Sequence, residues 1–307
     1  MYHLTHLNKM KKSTLLLSLA LLMTMGLTSC HKEKAGVYQP KKQIQKLYYS
    51  SPREDKTPLQ SWEWEHASGN DRLRSITHHE FFMKNDNWVE NFNYDNGRLN
   101  RVDNYANEEY ITYEFADDQL RNALHFYRNK PMSSWQISCE EGKITKIIGD
   151  IYEGYKSNAA RLTLDPLQGL LPYEALQQVA KKEQKMAAER NGNGTLTLVL
   201  LLKWNGEQLE KITATGNGDY MDFILQYDDK NNPYYGFLGG LEDTYQNFVL
   251  GHIGFTKNNV KQMTIIEDDY ADTIRYAYQY DRDGYPILQT MYYADEPDDK
   301  MVLYFEY

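Results

Sequence analysis

Short segments in which apolar and polar residues alternate recur along most of the chain, separated by residues that favour tight turns. One such phrase is FNYDNGRLNRV at 92–102, and similar phrases return as ISCEEGKITKI and LKWNGEQLEKI. Alternation with a period of two is typical of a β-strand with one buried face, and Asn-Gly or Asp-Gly pairs tolerate the positive φ that tight hairpin turns require. Each phrase therefore predicts a β-hairpin.

The phrases share a fixed internal spacing. An apolar or aromatic residue is followed five positions later by an aliphatic residue, and three positions after that by a small or apolar one. Five units fit: Tyr94-Leu99-Val102, Phe115-Leu120-Ala123, Cys139-Ile144-Ile147, Trp204-Leu209-Ile212 and Phe255-Val260-Met263. Two variants, YDDKNNP at 227–233 and YDRDGYP at 280–286, and a looser unit at 64–76 extend the series. Repetition at fixed offsets indicates internal repeats.

The repeats predict one domain over 47–307 that is mainly all-β. We expect an antiparallel β-meander of repeated hairpins, curved or barrel-like, with strand order following sequence order. Two separate β domains divided at the segment described next are the alternative.

One segment interrupts the repeats. Residues 173–190 are strong helix formers, and the apolar stripe has helical spacing: Tyr173, Leu176, Val179, Ala180, Met186 and Ala187. Pro172 suits a helix start, and Gly192 is a stop signal. We predict a helix near 173–190, within an insert at 165–192, that docks on one face of the sheet.

The N-terminus has the layout of a bacterial export signal. Lys11 and Lys12 precede a short apolar core, and LTSC at 27–30 resembles a lipobox that ends in Cys30. The apolar core is too short to span a bilayer. The pattern predicts a signal peptide over 1–29, with Met10 as an alternative start, and lipidation of Cys30. Residues 30–46 are polar and predict a lipidated tether.

The lipid anchor decides the expected location. Acyl chains on Cys30 would hold the chain at a membrane without a transmembrane helix. His31 follows the lipobox, and the lack of Asp there favours the outer membrane over inner-membrane retention. Periplasmic and surface-facing orientations both stay open.

Taken together, the lipobox, the polar tether and the Tyr-rich hairpin units with NG turns resemble a family of Gram-negative outer-membrane lipoproteins with a porin-like β fold. The phrases YDNGRL and YDRDGYP are also similar to the Tyr-Asp repeats of large bacterial surface and toxin-shell proteins. The resemblance covers most of residues 45–307. It implies a fold, and it implies no catalytic or binding residue.

The net charge and the cysteine content limit the binding partners and the disulfide bonds that we expect. The formal net charge is −9, and removal of residues 1–29 would take away three lysines and no acid, which makes it −12. An acidic chain is a poor ligand for phosphates, so we expect no nucleic acid partner. With Cys30 lipidated, Cys139 has no intrachain disulfide partner, and we expect it to be a packed thiol.

Catalytic and cofactor motifs are sparse. We predict no cofactor, no metal site and no catalytic residue, because the zinc-protease, lipase, Walker and Rossmann motifs are absent. His78 and His79 are adjacent, so on a strand they point to opposite faces; we interpret both as strand surface. The acidic clusters at 228–229, 267–269 and 281–284 suit turns. A glycan-acting hydrolase that uses those turn carboxylates is the enzyme alternative.

Aromatic residues are abundant, with 26 Tyr, 10 Phe and 5 Trp. In strands we interpret them as cross-strand pairs that hold the register. Tyr234, Tyr235 and Phe237 differ, because they lie among turn residues and glycines at 231–240. They are the candidate ligand-binding residues, for a glycan or an envelope protein.

The last strand leaves a second structural alternative. Met301, Leu303, Phe305 and Tyr307 alternate on one face, as in the last strand of a transmembrane β-barrel. Other strands are polar on both faces and the mean hydropathy is −0.72, so no lipid-facing band is visible. The sequence favours a lipid-anchored binding or scaffold module of the cell envelope that is not an enzyme.

Overall fold

The structure is a computed structural model, and it describes residues 38, 41–50, 58–80, 87–104, 108–152, 196–216, 219–237, 254, 256–268, 270–298 and 300–307. Sixteen strands are assigned in these ranges: β1 Lys46–Ser50, β2 Pro58–His66, β3 Leu73–Glu80, β4 Trp88–Asp95, β5 Arg98–Asn104, β6 Glu109–Ala116, β7 Gln119–Tyr127, β8 Lys130–Glu140, β9 Lys143–Ile151, β10 Leu196–Asn205, β11 Gln208–Gly216, β12 Asp219–Tyr227, β13 Val260–Glu267, β14 Tyr270–Tyr280, β15 Pro286–Tyr293 and β16 Lys300–Glu306.

The strands form one antiparallel meander that closes into a barrel. Each strand pairs with its neighbours in sequence, and β1 pairs with β16, with Leu47 opposite Phe305. The predicted fold class and strand order are confirmed. Because β9 pairs directly with β10, the strands before and after 152–195 belong to one sheet, and the two-domain alternative is wrong. The predicted helix near 173–190 lies outside the described residues.

In the ranges that the structure describes, no helix is long and apolar enough to cross a membrane.

Antiparallel order places the connections at two ends of the barrel. What we call the turn end carries the connections 67–72, 96–97, 117–118, 141–142, 206–207, 228–259 and 281–285. What we call the loop end carries 51–57, 81–87, 105–108, 128–129, 152–195, 217–218, 268–269 and 294–299. All of the repeated phrases therefore turn at the same end.

The fixed spacing of the phrases is the register of these hairpins. The first and second members of four units face each other across the ladder: Tyr94 with Leu99, Phe115 with Leu120, Cys139 with Ile144, and Trp204 with Leu209. In each hairpin a register shift lies immediately before the first member. Positive φ angles occur at the tips, for example 47° at Asn96 and 86° at Gly97, as tight hairpin turns require. A bulge and a two-residue turn thus recur together.

The fifth unit is built differently. Val260 pairs with Tyr227 and not with Phe255, which lies outside the described residues. The excursion over 228–259 replaces a two-residue turn between β12 and β13. The prediction of a hairpin for the unit Phe255-Val260-Met263 was therefore wrong, and the variant YDDKNNP supplies Tyr227 as the residue that faces Val260.

Neighbouring hairpins are joined by hydrogen bonds near the turn end. A side chain on one strand donates to the backbone carbonyl at the start of the preceding strand. The Tyr94 hydroxyl donates to Leu73 O at 2.8 Å, and Trp204 Nε1 donates to Ile144 O at 2.7 Å. Equivalent bonds link Tyr278 to Val260 O and Tyr307 to Pro286 O, at 2.8 and 2.9 Å. Cys139 occupies the same place, with Sγ 3.9 Å from Leu120 O, and burial raises the pKa of its thiol.

Apolar side chains fill the interior at the middle of the barrel. Every strand contributes an inward residue that is almost inaccessible to water: Leu47, Trp62, Ile76, Phe92, Val102, Ile111, Ala123, Trp135, Ile147, Leu200, Ile212, Phe223, Met263, Ile274, Met291 and Leu303, of which Phe92 is the most exposed at 6%. Trp135 fits because Gly149 lies opposite it, where a Cβ would come within 1.9 Å of the indole ring. A water-filled channel at this level would leave inward side chains accessible.

The outer face carries charged side chains along its strands, beside a few exposed apolar ones such as Leu201 and Ile287. Lys46 pairs with Glu63, Arg74 with Glu65 and Lys203 with Glu210, at 3.0 to 3.1 Å. Lys211 and Asp222, on β11 and β12, pair at 2.7 Å. The C-terminal strand follows the same rule: Leu303 and Phe305, predicted to share a face with Met301, are 1% and 5% exposed and point inward.

Candidate functional site

A belt of polar side chains crosses the barrel interior on six consecutive strands. It consists of His78 on β3, Glu90 on β4, Asn104 on β5, Glu109 on β6, His125 on β7 and Ser133 on β8, each at most 7% exposed. Ladder pairing places Glu90 opposite Asn104, Asn104 opposite Glu109, and His125 opposite Ser133. We call these six residues the polar belt. It lies close to the loop end, because Asn104 ends β5 and Glu109 begins β6.

Two histidine–glutamate pairs form the core of the polar belt. His78 Nε2 lies 3.1 Å from Glu90 Oε2, and His125 Nε2 lies 2.9 Å from Glu109 Oε1. In each pair the partners are diagonal neighbours on adjacent strands, so the alternation of the sheet sends both side chains inward. The edge of Trp62 packs on His78, with ring centroids 6.5 Å apart.

Burial and the nearby charge of Glu109 change the pKa of the Glu90 carboxyl group. Desolvation, followed by the nearby charge of Glu109, raises the pKa of Glu90 well above its usual range. A raised carboxyl pKa favours the protonated form, in which the group can donate as well as accept a hydrogen bond. The belt can therefore hold two carboxyl groups close together in a buried environment without two full negative charges.

Several polar atoms of the belt have no partner in the part of the chain that the structure describes. They are Glu90 Oε1, Asn104 Oδ1 and His125 Nδ1, and Trp62 Nε1 nearby is a fourth. A buried polar atom without a hydrogen bond is unfavourable by about 1–3 kcal/mol, so such atoms are usually satisfied by water or a ligand. The belt is thus suited to bind a small polar molecule. Among the described residues, no group of three or more His, Cys, Asp or Glu side chains could hold a metal ion.

The adjacent residues His78 and His79 point to opposite faces of β3, as their positions in the sequence predict. His78 points inward and is fully buried, whereas His79 points outward and lies 3.5 Å from Glu63 Oε2. The prediction of opposite faces is confirmed. The interpretation of both as strand surface was wrong for His78, because the inward face of β3 carries a polar residue that pairs with Glu90.

The candidate binding aromatics lie in the excursion at the turn end. Tyr234 and Phe237 are 2% and 7% exposed, and they join an aromatic cluster with Tyr38, Trp64 and Phe305. Stacking on a sugar ring needs an exposed aromatic face, which these two do not offer. Tyr235 is half-buried, with Lys257 Nζ 6.0 Å from its ring centroid. Their role in ligand binding stays a prediction, and in this arrangement Tyr234 and Phe237 close the turn end.

The acidic turn residues hold backbone groups. Asp228 Oδ1 accepts hydrogen bonds from the Lys230 and Asn259 amides, at 2.9 and 3.2 Å. Asp281 Oδ1 accepts from the Asp283 and Tyr285 amides, both at 2.9 Å. These contacts are the turn chemistry expected of Asp at such positions.

The predicted lipidation site, Cys30, lies outside the described residues, as does the signal peptide. The predicted tether over 30–46 is too long at its C-terminal end. Ile44 is fully buried and the Gln45 amide donates to Glu306 O at 2.8 Å, so these residues extend β1 against β16.

Comparison with solved structures agrees with this fold. A porin-like protein from Bacteroides uniformis matches with a TM-score of 0.51 and 10% identity, over 86% of this chain and 97% of that one. A second porin-like protein, from Bacteroides vulgatus, matches with a TM-score of 0.48 and 8% identity, over 86% and 98% of the two chains. No protein-family model matches the sequence, and no curated protein does. The first of these structures shows a similarity of fold alone.

Proposed function

We propose that this protein is a lipid-anchored binding or scaffold module of the cell envelope, and that its barrel is not a pore. The observation that supports the absence of a pore is the burial of the interior. The central inward residues of all sixteen strands are at most 6% exposed to water. A diffusion channel of this strand number is polar inside and filled with water. Because the central inward side chains of every strand are almost inaccessible to water, they leave no open path for a solute at that level.

The outer face supports the same proposal against the transmembrane alternative. A barrel in a bilayer presents an apolar band about 25 Å tall to the lipid. The outward ion pair of Lys211 and Asp222 lies within the length of β11 and β12, and Lys203 is 70% exposed. A charged side chain at the bilayer midplane is unfavourable by about 2–4 kcal/mol, so a face with several such residues is suited to water.

The proposal includes the absence of enzymatic activity. The hydrolase alternative needs two carboxyl groups in an accessible cleft. The turn carboxylates of Asp228 and Asp281 cap backbone amides, and Glu90 and Glu109 are 0% and 5% exposed. Among the described residues, neither pair therefore lies in an open cleft that could hold a glycan chain.

In this proposal, acyl chains on Cys30 attach the protein to the outer membrane. The lipobox ending LTSC and the following His31 support this assignment. Two or more acyl chains would hold a water-facing barrel stably at the membrane surface.

Among binding roles, the polar belt supports a small polar ligand. Among the described residues, its atoms without a partner include Asn104 Oδ1, which accepts, and Glu90 Oε1, which can donate as well as accept when the carboxyl group is protonated. A ligand with hydroxyl groups, which both donate and accept, therefore fits best. A panel of sugars and polyols tests this role by thermal shift. A ligand that stabilises the wild type but not Asn104→Ala supports a binding role for the belt. If no member of the panel stabilises the wild type, the scaffold role is favoured over the binding role.

Two measurements test the proposal as a whole. Mass spectrometry of the membrane-extracted protein should find diacylglycerol on an N-terminal Cys30, and Cys30→Ala should be released or mis-processed. The anchored protein added to planar bilayers should produce no conductance steps. An unmodified N-terminus contradicts the anchor, and stable stepwise conductance contradicts the filled interior.

A further inference from the structure

The chain that precedes β1 is fastened to the turn end of the barrel. Tyr38 is 4% exposed, and its hydroxyl donates to Pro233 O at 2.8 Å. Its ring packs against Trp64 and Phe237, with centroids 5.9 and 5.5 Å away. Tyr38 is thus part of the aromatic cluster that closes this end.

Further contacts hold the segment between Tyr38 and β1. Lys42 forms an ion pair with Asp281, in the turn before β15, and its Nζ lies 4.8 Å from the Tyr307 ring centroid. Ile44 is fully buried and its carbonyl contacts His66 Nε2 at 3.0 Å. The Gln45 carbonyl accepts from the Trp64 amide at 2.8 Å. Each of these partners belongs to the turn end.

The length of chain left between this attachment and the lipobox is short. Seven residues, 31–37, lie between Cys30 and Tyr38, so eight Cα–Cα steps join the two. Such a chain reaches at most about 29 Å when fully extended, and its root-mean-square reach is about 15 Å if it is flexible. A nine-residue strand such as β7 spans about 30 Å along its axis, or about 23 Å along the axis of a barrel with tilted strands.

We infer that the lipid anchor presents the turn end of the barrel to the membrane surface and holds the loop end away from it. The inference rests on the proposed lipidation of Cys30. A barrel with its loop end on the membrane would need the chain from Cys30 to Tyr38 to be stretched almost fully along its side, which opposes its conformational entropy.

The character of the two ends agrees with this orientation. The tips at the turn end are polar, such as Asn96-Gly97 and Glu141-Gly142, so this end rests beside headgroups without inserting. Tyr220 and Tyr270 lie at or near the loop end and are 48% and 63% exposed. The loop end, with the polar belt beneath it, is then the face that meets a partner or a ligand.

Two fluorophore positions test the orientation in the full, lipidated protein. A single cysteine replaces Glu207 in the turn-end tip 206–207, or Tyr270 at the loop end, in a Cys139→Ala background. Both native side chains are exposed, at 73% and 63%. The lipidated protein is added to preformed vesicles that carry an acceptor dye on their headgroups, and energy transfer is measured.

We expect transfer from position 207 to exceed transfer from position 270 at least about twofold, since the ends differ in height by about 23 Å. Tyr38→Ala combined with Lys42→Ala should loosen the attachment and shrink the difference. Equal transfer, or greater transfer from position 270, overturns the inference while the protein stays on the vesicles. Protein that fails to bind vesicles instead overturns the proposed anchor, so the two failures are distinguishable.

Discussion

The turn end and the polar belt are buried to a similar degree, yet the first consists of apolar aromatic side chains and the second of polar side chains. The turn end is closed by aromatic rings, with Trp64, Tyr234 and Phe237 at centroid distances of 5.1 to 6.1 Å. The polar belt, closer to the loop end, buries two histidines and two carboxyl groups. Apolar burial stabilises a fold in proportion to area, whereas buried polar groups are at best neutral when they are fully paired.

The difference indicates a division of labour within one barrel. Strands on the other side of the same interior carry apolar residues, such as Leu198, Met221 and Ile265, so the fold itself does not require a polar belt. Residues that do not improve stability are often retained for a site. Under the proposed function, the turn end serves stability and attachment, and the belt serves binding.

The largest expected effect comes from removing a ring at the turn end. Phe237→Ala should lower the free energy of unfolding by about 3–5 kcal/mol, because it deletes a buried aromatic side chain and leaves a cavity. Tyr235→Ala, two positions away and half-buried, is the matched control and should lose much less. Urea unfolding measures both, and equal losses would contradict the packing of the turn end.

Breaking a belt pair should have the next largest effect. His78→Ala removes the partner of Glu90 and should lower the free energy of unfolding by about 2–3 kcal/mol, the penalty for a buried polar group left alone. His79→Ala, on the outer face, is the control, and it should lose at most about 1 kcal/mol. Similar losses for the two variants would show that His78 is not held inside.

The buried Glu90 of the belt should also make the stability of the protein depend on pH. Glu90 has a raised pKa in the folded state, so the folded protein binds more protons than the unfolded chain above pH 4.5. The stability of the wild type relative to Glu90→Gln should therefore fall as pH rises from 4.5 towards the raised folded pKa, by up to about 1.4 kcal/mol per pH unit.

Glu63 on the outer face supplies a control of opposite sign. The hydrogen bond and charge of Lys46 lower the pKa of Glu63, so its contribution to stability is present above the unfolded pKa and is lost as pH falls through the folded one. Relative to Glu63→Gln, the wild type should gain a little stability with rising pH. The same trend for both variants would place Glu90 outside a buried environment.

The smallest expected effect concerns the bonds between hairpins. Tyr94→Phe removes the hydroxyl that donates to Leu73 O and should lower the free energy of unfolding by about 1 kcal/mol. Tyr220→Phe, on an exposed ring, should change it by less. A Tyr94→Phe protein as stable as wild type would mean that the side-chain bonds near the turn end do not hold neighbouring hairpins together.

Much of the fold follows from local patterns in the sequence. The offset of five residues between Tyr94 and Leu99 arises because a two-residue turn and one bulge separate facing positions, so the spacing is the register itself. Alternation likewise places Leu303 and Phe305 on one face. Closure of the barrel is not a local property, and the sequence left a curved sheet and a barrel equally open.

The polar belt could not be predicted in this way. Glu90 lies between Val89 and Asn91, and Glu109 follows Glu108, so both look like solvent-facing residues of polar strands. A signal was present in WVENF at 88–92, where Glu90 falls in register with the inward Phe92. Only the pairing of β4, β5 and β6 brings Glu90, Asn104 and Glu109 together.

The burial of Tyr234 and Phe237, and the docking of the segment before β1, could not be predicted for a related reason. Gly and Pro around Tyr234 are typical of exposed turns, but the connection from β12 to β13 folds back and closes the turn end. The polar segment before β1 contains Tyr38 and Ile44, two apolar anchors among lysines and glutamines. Isolated apolar residues carry no periodicity, so their docking depends on a surface that forms elsewhere in the chain.

The mass of the chain from His31 onwards in detergent-free buffer tests the central claim most directly. A barrel with its apolar residues inside and its charges outside should be soluble without detergent, and light scattering after gel filtration should report a monomer or a defined small oligomer. A chain that aggregates in buffer and becomes monodisperse only in detergent would contradict the account, because its outer face would then be the apolar one.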